Sequence, residues 1–163
     1  MKRKLGLTTS VVAAFAVFVL SMASAHAGGC SMASAAGTYG FTATGTLLLP
    51  TGAVPIAAVG RASFHADGSF SGAEARSVGG QFANETLGPG TWTINRDCTG
   101  TLTSPVFVSG TLVRTSVLSL VWDDNMTEAR LVQQSLTVPP DGVSVPAVIT
   151  FEAKRMFTND EQD

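Results

Sequence analysis

Charged residues are scarce in this chain of 163 residues, because Asp, Glu, Lys and Arg together account for only 13% of it. The 10 Lys and Arg are balanced by 12 Asp and Glu, which gives a formal net charge of −2. A nucleic-acid-binding protein needs clustered Lys and Arg to neutralise phosphates, so the composition argues against a nucleic-acid partner. The 45% of hydrophobic residues excludes an ordinary disordered chain, and the length corresponds to about one domain.

Cysteine and histidine are equally rare, with two residues of each. Two cysteines exclude a disulfide-dense miniprotein and a zinc site built from four cysteines. His26 lies close to the N-terminus, and His65 adjoins a predicted turn at Asp67-Gly68. Since the G-x-S-x-G motif of many serine hydrolases is missing, His65 is interpreted as a surface residue. The sequence therefore predicts no metal site and no cofactor, and it identifies no catalytic residue.

The N-terminus has the three parts of a secretory signal peptide. Basic residues at positions 2–4 precede an apolar stretch from Val11 to Ala23, and Ala25-His26-Ala27 supplies an A-x-A cleavage site. The alternative is a transmembrane anchor, but the apolar run is shorter than the ~20 residues of a spanning helix. We predict cleavage after Ala27 and a secreted or periplasmic location, with no membrane association once the signal is removed.

Removal of residues 1–27 changes the charge of the chain. The remaining chain has seven basic and 12 acidic residues, so its formal charge is −5. A mildly acidic exported protein should remain soluble. We predict one domain over residues 28–157 and a frayed acidic tail over residues 158–163.

The two cysteines, Cys30 and Cys98, allow one disulfide, and both lie in the exported part of the chain. A disulfide between them would connect the mature N-terminus to the middle of the chain. Cys30 also permits another interpretation, because Ala27-Gly28-Gly29-Cys30 is reminiscent of a bacterial lipobox, in which the cysteine carries a lipid anchor. Ala27 departs from the Leu that usually stands at that position.

After Gly37 the sequence is typical of short strands separated by turns. Tyr39, Phe41 and the other odd positions up to Leu49 are mostly apolar, whereas Thr occupies most even positions. The Pro and Gly residues from Pro50 to Pro55 predict a break of the ladder, and Gly88-Pro89-Gly90 predicts a turn between two separate strands. The run from Thr111 to Trp122 has apolar residues at both odd and even positions, so we expect the strand to be buried on both faces.

Eight or nine such strands, joined mostly to their neighbours, predict an all-β fold. An antiparallel meander of this size must protect its edges, and closure into a barrel removes them. A sandwich of two sheets is the alternative. The many Gly and Ala residues in the strands favour the antiparallel barrel, because small residues permit tight coiling and leave interior space.

Two acidic residues and one basic residue are candidates for a site inside such a barrel. Glu74 and Arg76 lie two residues apart on the strand face that also holds Phe70, and they would be a buried polar pair if that face lines a cavity. The alternative is that the small residues between Ser71 and Ser77 face inward and the charged residues face solvent. Glu85 likewise lies either inside the barrel or in solvent.

Three aromatic residues are candidates for the same cavity. Tyr39, Phe41 and Trp92 either line a ligand pocket or fill the core, and core filling is the simpler interpretation in a barrel of this size. Tyr39, Phe41, Glu74, Arg76 and Trp92 together are the candidate ligand-binding residues.

One segment carries a resemblance to a known family. The sequence Gly90-Thr91-Trp92-Thr93-Ile94-Asn95-Arg96-Asp97-Cys98-Thr99-Gly100-Thr101 resembles a segment of secreted proteins related to the allene oxide cyclase barrel, and the segment starting at Gly37 is similar to the same pattern. The resemblance covers about Gly37 to Thr101. It implies a calycin-like eight-stranded antiparallel barrel with a central cavity, and it carries over no activity.

Three hypotheses for function follow. The first is an exported barrel that binds a small apolar molecule. The second is a cyclase or isomerase of the allene oxide cyclase type, which would act mainly by folding a reactive substrate in a dry cavity. The third is a structural or interaction module with a filled core. An interior cavity with a carboxylate or an Arg facing it distinguishes the first two from the third.

Overall fold

The computed structural model describes residues 29–123 and 125–156, and most of them lie in β-strands. Within this part of the chain one short helix precedes nine strands, with the bounds α1 Met32–Ala35, β1 Gly37–Leu49, β2 Gly52–Phe64, β3 Ser69–Val78, β4 Gln81–Ile94, β5 Thr99–Val108, β6 Thr111–Trp122, β7 Glu128–Val138, β8 Val143–Ser144 and β9 Ala147–Arg155. The predicted signal peptide, its cleavage site at Ala27 and the acidic tail lie outside the described residues. No helix in the described part has the length and apolar character needed to cross a bilayer.

The strands form a closed antiparallel barrel. Strands β1 to β7 pair in chain order, and β9 pairs with both β7 and β1 to close a ring of eight strands. Strand β8 is an addition outside the ring and pairs with the end of β7. The prediction of an all-β, antiparallel, eight-stranded barrel is therefore confirmed, and the two-sheet sandwich is not formed. Closure leaves none of the eight strands with a free edge.

The predicted turn at Gly88-Pro89-Gly90 is wrong, because β4 runs through it as one strand. Between Leu87 and Thr91 the register against β5 shifts, since four steps along β4 correspond to three along β5. The extra residue makes a β-bulge. Gly88 has φ +82°, and a Cβ there would lie 2.5 Å from the carbonyl oxygen of Phe70. The Gly and Pro residues thus bend a continuous strand. The predicted break at Pro55 is wrong as well, because Pro55 lies within β2.

Strand β6 is buried on one face only, which corrects the expectation of burial on both. Arg114, Ser116, Leu118, Leu120 and Trp122 are buried, whereas Val121 is 44% exposed. A single closed sheet has one interior, so apolar residues at the other parity face solvent unless another layer covers them.

The hairpins at one end of the barrel share a local pattern. In each, an Asp or Asn oxygen accepts hydrogen bonds from the backbone N–H and the hydroxyl of a Ser or Thr two residues later: Asp67 and Ser69, Asp97 and Thr99, Asn125 and Thr127. The residue between them has a positive φ: Gly68 +85°, Cys98 +68° and Met126 +58°. These Asx turns reverse the chain three times with the same geometry. We call this end, where α1 also lies, the closed end.

Aromatic side chains fill the interior at the closed end. The ring of Phe64 lies 5.2 to 5.5 Å from four other rings, measured between centroids: Tyr39, Phe70, Trp92 and Trp122. Their edge-to-face arrangement is the favoured geometry for aromatic pairs. The hydroxyl of Tyr39 lies 2.9 Å from the carbonyl oxygen of Ala35 in α1, so the helix is held over the aromatic cluster.

The disulfide between Cys30 and Cys98 is present, with a Cα–Cα distance of 5.0 Å. It joins Cys30, two residues before the start of α1, to the second of the three closed-end hairpins. The predicted pairing is therefore confirmed, and a sulfur engaged in this bond is not available for the lipid anchor considered as the alternative at Cys30.

Candidate ligand-binding site

The opposite end of the barrel carries an open cavity of about 320 Å³, which we call the cup. It lies inside the β1–β2, β3–β4 and β5–β6 hairpins and the β7–β9 connection. Its walls are apolar and include Leu47, Val78, Val108, Leu136, Val138 and Val145. The charged residues Arg76, Glu85 and Arg114 form its floor. The cup therefore combines an apolar wall with a charged base.

Four charged side chains from three adjacent or facing strands make up the cluster beneath the cup. Arg114 on β6 donates to Glu85 on β4 at 2.6 Å and to Glu74 on β3 at 2.5 Å. Arg76 on β3 lies 3.6 Å from Glu85. All four residues are less than 10% exposed. Buried charges are costly unless they are paired, and Arg114 supplies most of the pairing here.

Burial and the neighbouring charged groups shift the pKa values of Glu74 and Glu85 in opposite directions. Burial, together with the hydrogen bond to Glu85, raises the pKa of Glu74 to about 7. Burial also acts to raise the pKa of Glu85, but hydrogen bonds from Glu74 and Arg114 outweigh it and lower the pKa. Glu74 and Glu85 are paired in register on neighbouring strands, so a proton on Glu74 removes the repulsion between them. Glu74 is thus the member of the pair that holds a proton near neutral pH.

Phe70, Glu74 and Arg76 lie on the face of β3 that points into the barrel. Of the two alternatives for this strand, the one with the charged residues inside is therefore correct. Ser71 and Ala73 are exposed, so the interpretation with the small residues facing inward is wrong. The physical reason lies in Arg114, because the inward carboxylates are stabilised by a partner from a strand distant in the sequence.

The candidate residues divide into three groups by position. Tyr39 and Trp92 are 0% and 2% exposed and belong to the aromatic core of the closed end, where they fill space. Phe41 and Glu74 line a smaller interior cavity of about 50 Å³ on the other side of the charged cluster. Of the five candidates, Arg76 alone contributes to the cup.

Sequence reasoning did not find Arg114, the centre of the cluster. The sequence does contain a signal for it. Arg114 occupies an even-numbered position of β6, as do Leu118, Leu120 and Trp122, and side chains at alternate positions of a strand lie on the same face. A charged residue on the inward parity of a barrel strand indicates a buried polar partner. Because β6 is expected from its sequence to be buried on both faces, its inward face is not distinguished from its outward face.

The pKa of Glu74 predicts a pH-dependent stability. Its pKa is about 7 in the folded protein and 4.5 ordinarily, so between these values the folded protein binds more protons than the unfolded chain. The free energy of unfolding should therefore fall as pH rises through this window. In urea denaturation at pH 8, Glu74→Gln should be more stable than the wild type by on the order of 1–3 kcal/mol.

The matched control for that variant is Glu152→Gln, which changes an exposed carboxylate on β9. It should alter the free energy of unfolding by no more than about 0.5 kcal/mol at either pH. At pH 4 Glu74→Gln and the wild type should be similar, because Glu74 is then protonated in both states. A loss of stability in Glu74→Gln at pH 8 would show that the ionised carboxylate stabilises the fold.

Fold and site together define a small closed antiparallel barrel with an open, charged-floor cup at one end. No protein-family model matches the sequence, and comparison with curated proteins found no match. The likeness to the allene oxide cyclase barrel therefore stays a prediction from sequence.

Proposed function

We propose that this protein is an exported barrel that binds a small apolar molecule in the cup. The observation that carries the proposal is the cup itself, with about 320 Å³ of space and apolar walls above a few convergent polar groups. Pockets for small organic molecules typically measure about 300–1,000 Å³ and have this distribution of apolar and polar groups. The cup falls at the lower end of that range, which favours a small ligand.

Export is the second part of the proposal. The disulfide between Cys30 and Cys98 is typical of proteins that fold in an oxidising compartment. The N-terminal basic, apolar and A-x-A pattern supports export through a signal peptide. We therefore place the protein in the periplasm or outside the cell.

A cyclase or isomerase of the allene oxide cyclase type is the second candidate. One observation favours it, since Glu74 is buried and its pKa of about 7 suits a group that transfers protons near neutral pH. Glu74 lines the inner cavity of about 50 Å³, which is far smaller than an organic substrate needs. Binding in the cup is therefore the better supported function. A purely structural module would explain the filled closed end and leave the cup without a role.

Blocking the cup tests the proposal. Val138→Trp places a large side chain at the cup wall on β7, and we expect it to weaken binding of a neutral apolar probe at least about tenfold. The probe is N-phenyl-1-naphthylamine, followed by its fluorescence, with 1-decanol as a competitor. Val132→Trp is the control, because Val132 lies on the same strand but is 46% exposed on the outside. Equal affinities in the two variants would place any binding outside the cup.

A further inference from the structure

We propose that the ligand of the cup is a monocarboxylate with an apolar tail, whose carboxylate group binds the guanidinium of Arg76 at the floor. This inference rests on the proposed function and deepens it, because it assigns the chemical class and the orientation of the ligand. The polar end would lie deepest and the tail would extend along the apolar walls toward solvent.

The hydrogen bonding of Arg76 is the first argument. Its side chain is 10% exposed, yet its nearest carboxylate oxygen, on Glu85, lies 3.6 Å away. That distance is longer than an ordinary hydrogen bond, so Glu85 engages this guanidinium only weakly. A guanidinium has five N–H donors, and those of Arg76 that lack a protein partner are reached by solvent, because Trp122 Nε1 is the one sealed and unpartnered side-chain polar atom in the described residues. Arg76 lines the cup, so donors that solvent reaches are available to whatever occupies it, water or a ligand.

Arg114 differs from Arg76 in this respect. Its two terminal nitrogens already donate to Glu85 and Glu74 at 2.6 and 2.5 Å. Glu85 contacts Arg114 through Oε2 at 2.6 Å, whereas its Oε1 lies 3.6 Å from Arg76. Arg76 is therefore the member of the cluster whose donors remain available to a ligand.

The charge of the floor is the second argument. Among the charged residues that line the cup, two are arginines and one is a glutamate, so the floor carries an excess of one positive charge. One carboxylate balances that excess. A planar carboxylate also matches the guanidinium fork with two parallel hydrogen bonds. The raised pKa of Glu74 acts in the same direction, because a protonated Glu74 leaves the cluster as a whole positive below about pH 7.

The test measures two ligands that differ only at the head group. The exported wild type is titrated at pH 6.5 with decanoate and with 1-decanol by displacement of the fluorescent probe. We expect decanoate to bind at least about tenfold more tightly than 1-decanol, because a hydrogen-bonded charge pair replaces a neutral contact. In Arg76→Gln, decanoate should weaken about 10- to 100-fold, while 1-decanol should change less than about twofold.

Arg61→Gln is the control variant, because Arg61 lies exposed on the outside of β2, next to β3. It should leave the preference for decanoate unchanged. Equal weakening of both ligands in Arg76→Gln would overturn the inference and assign Arg76 a structural role. Binding of 1-decanol without a preference for decanoate would overturn it while leaving the proposed function intact. Failure of both ligands to bind the wild type would overturn the proposed function and this inference together.

Discussion

Replacing Arg114 with Met is expected to lower the free energy of unfolding by about 3–5 kcal/mol, the usual cost of leaving a buried charge without its partner. Arg114 is the residue that Glu74 and Glu85 share, with side-chain contacts at 2.5 and 2.6 Å. Without it two buried carboxyl groups face each other across paired strands, and Arg76 at 3.6 Å from Glu85 is the remaining cation. Urea denaturation followed by tryptophan fluorescence measures the effect, since Trp92 and Trp122 are buried in the closed end.

The loss should be larger at pH 8 than at pH 5, because protonation of Glu74 relieves its repulsion with Glu85 at the lower pH. Arg130→Met is the matched control, since Arg130 is exposed on the outside of β7, and its effect should stay within about 0.5 kcal/mol. Adding Glu74→Gln to Arg114→Met should recover most of the loss, because it removes the carboxylate left without a cation, while Glu85 keeps Arg76 at 3.6 Å. A variant with Arg114→Met as stable as the wild type at pH 8 would contradict the role given to this residue.

The alternation in the sequence is enough to predict most of the barrel. In β1 the odd positions Tyr39, Ala43 and Leu47 are buried, and in β2 Ile56, Ala58, Ala62 and Phe64 are buried, as their spacing predicts. Alternation works here because a barrel strand has one interior face and one outer face throughout its length. Hairpins with Asp-Gly, such as Asp67-Gly68, are predictable for the same local reason.

The site is less predictable because its stability depends on residues distant in the sequence. Glu74 and Arg76 lie inward because Arg114, about 40 residues away along the chain, neutralises Glu74 and Glu85. Periodicity alone permits either face of β3 to be the inner one. The bulge at Gly88 is hidden in a similar way, since Gly-Pro-Gly is typical of a turn and only the pairing of β4 with β5 makes it part of a strand.

Removal of the disulfide should also cost much of the stability. Cys30 and Cys98 are 68 residues apart in sequence, and on the chain-entropy model a loop of that size is worth about 4 kcal/mol. The bond is one of the links that hold the N-terminal segment against the closed end, together with the contacts of α1 to Tyr39. Its loss should therefore loosen α1 before it affects the strands near the cup.

The variant Cys30→Ser/Cys98→Ser is expected to unfold with a free energy lower by about 4 kcal/mol, measured in urea against the oxidised wild type. The backbone at position 98 does not contribute to this change, because Cys98 has φ +68°, in the position that Gly68 occupies in the first hairpin, and Ser bears the same strain there as Cys. Cys30→Ser/Cys98→Gly removes that backbone strain and should be more stable than the double Ser variant by about 1 kcal/mol. The difference between the double Ser variant and the wild type, which carry the same strain at position 98, therefore isolates loop closure more closely. Two free thiols in the exported wild type, or an unchanged urea midpoint after reduction, would contradict this assignment.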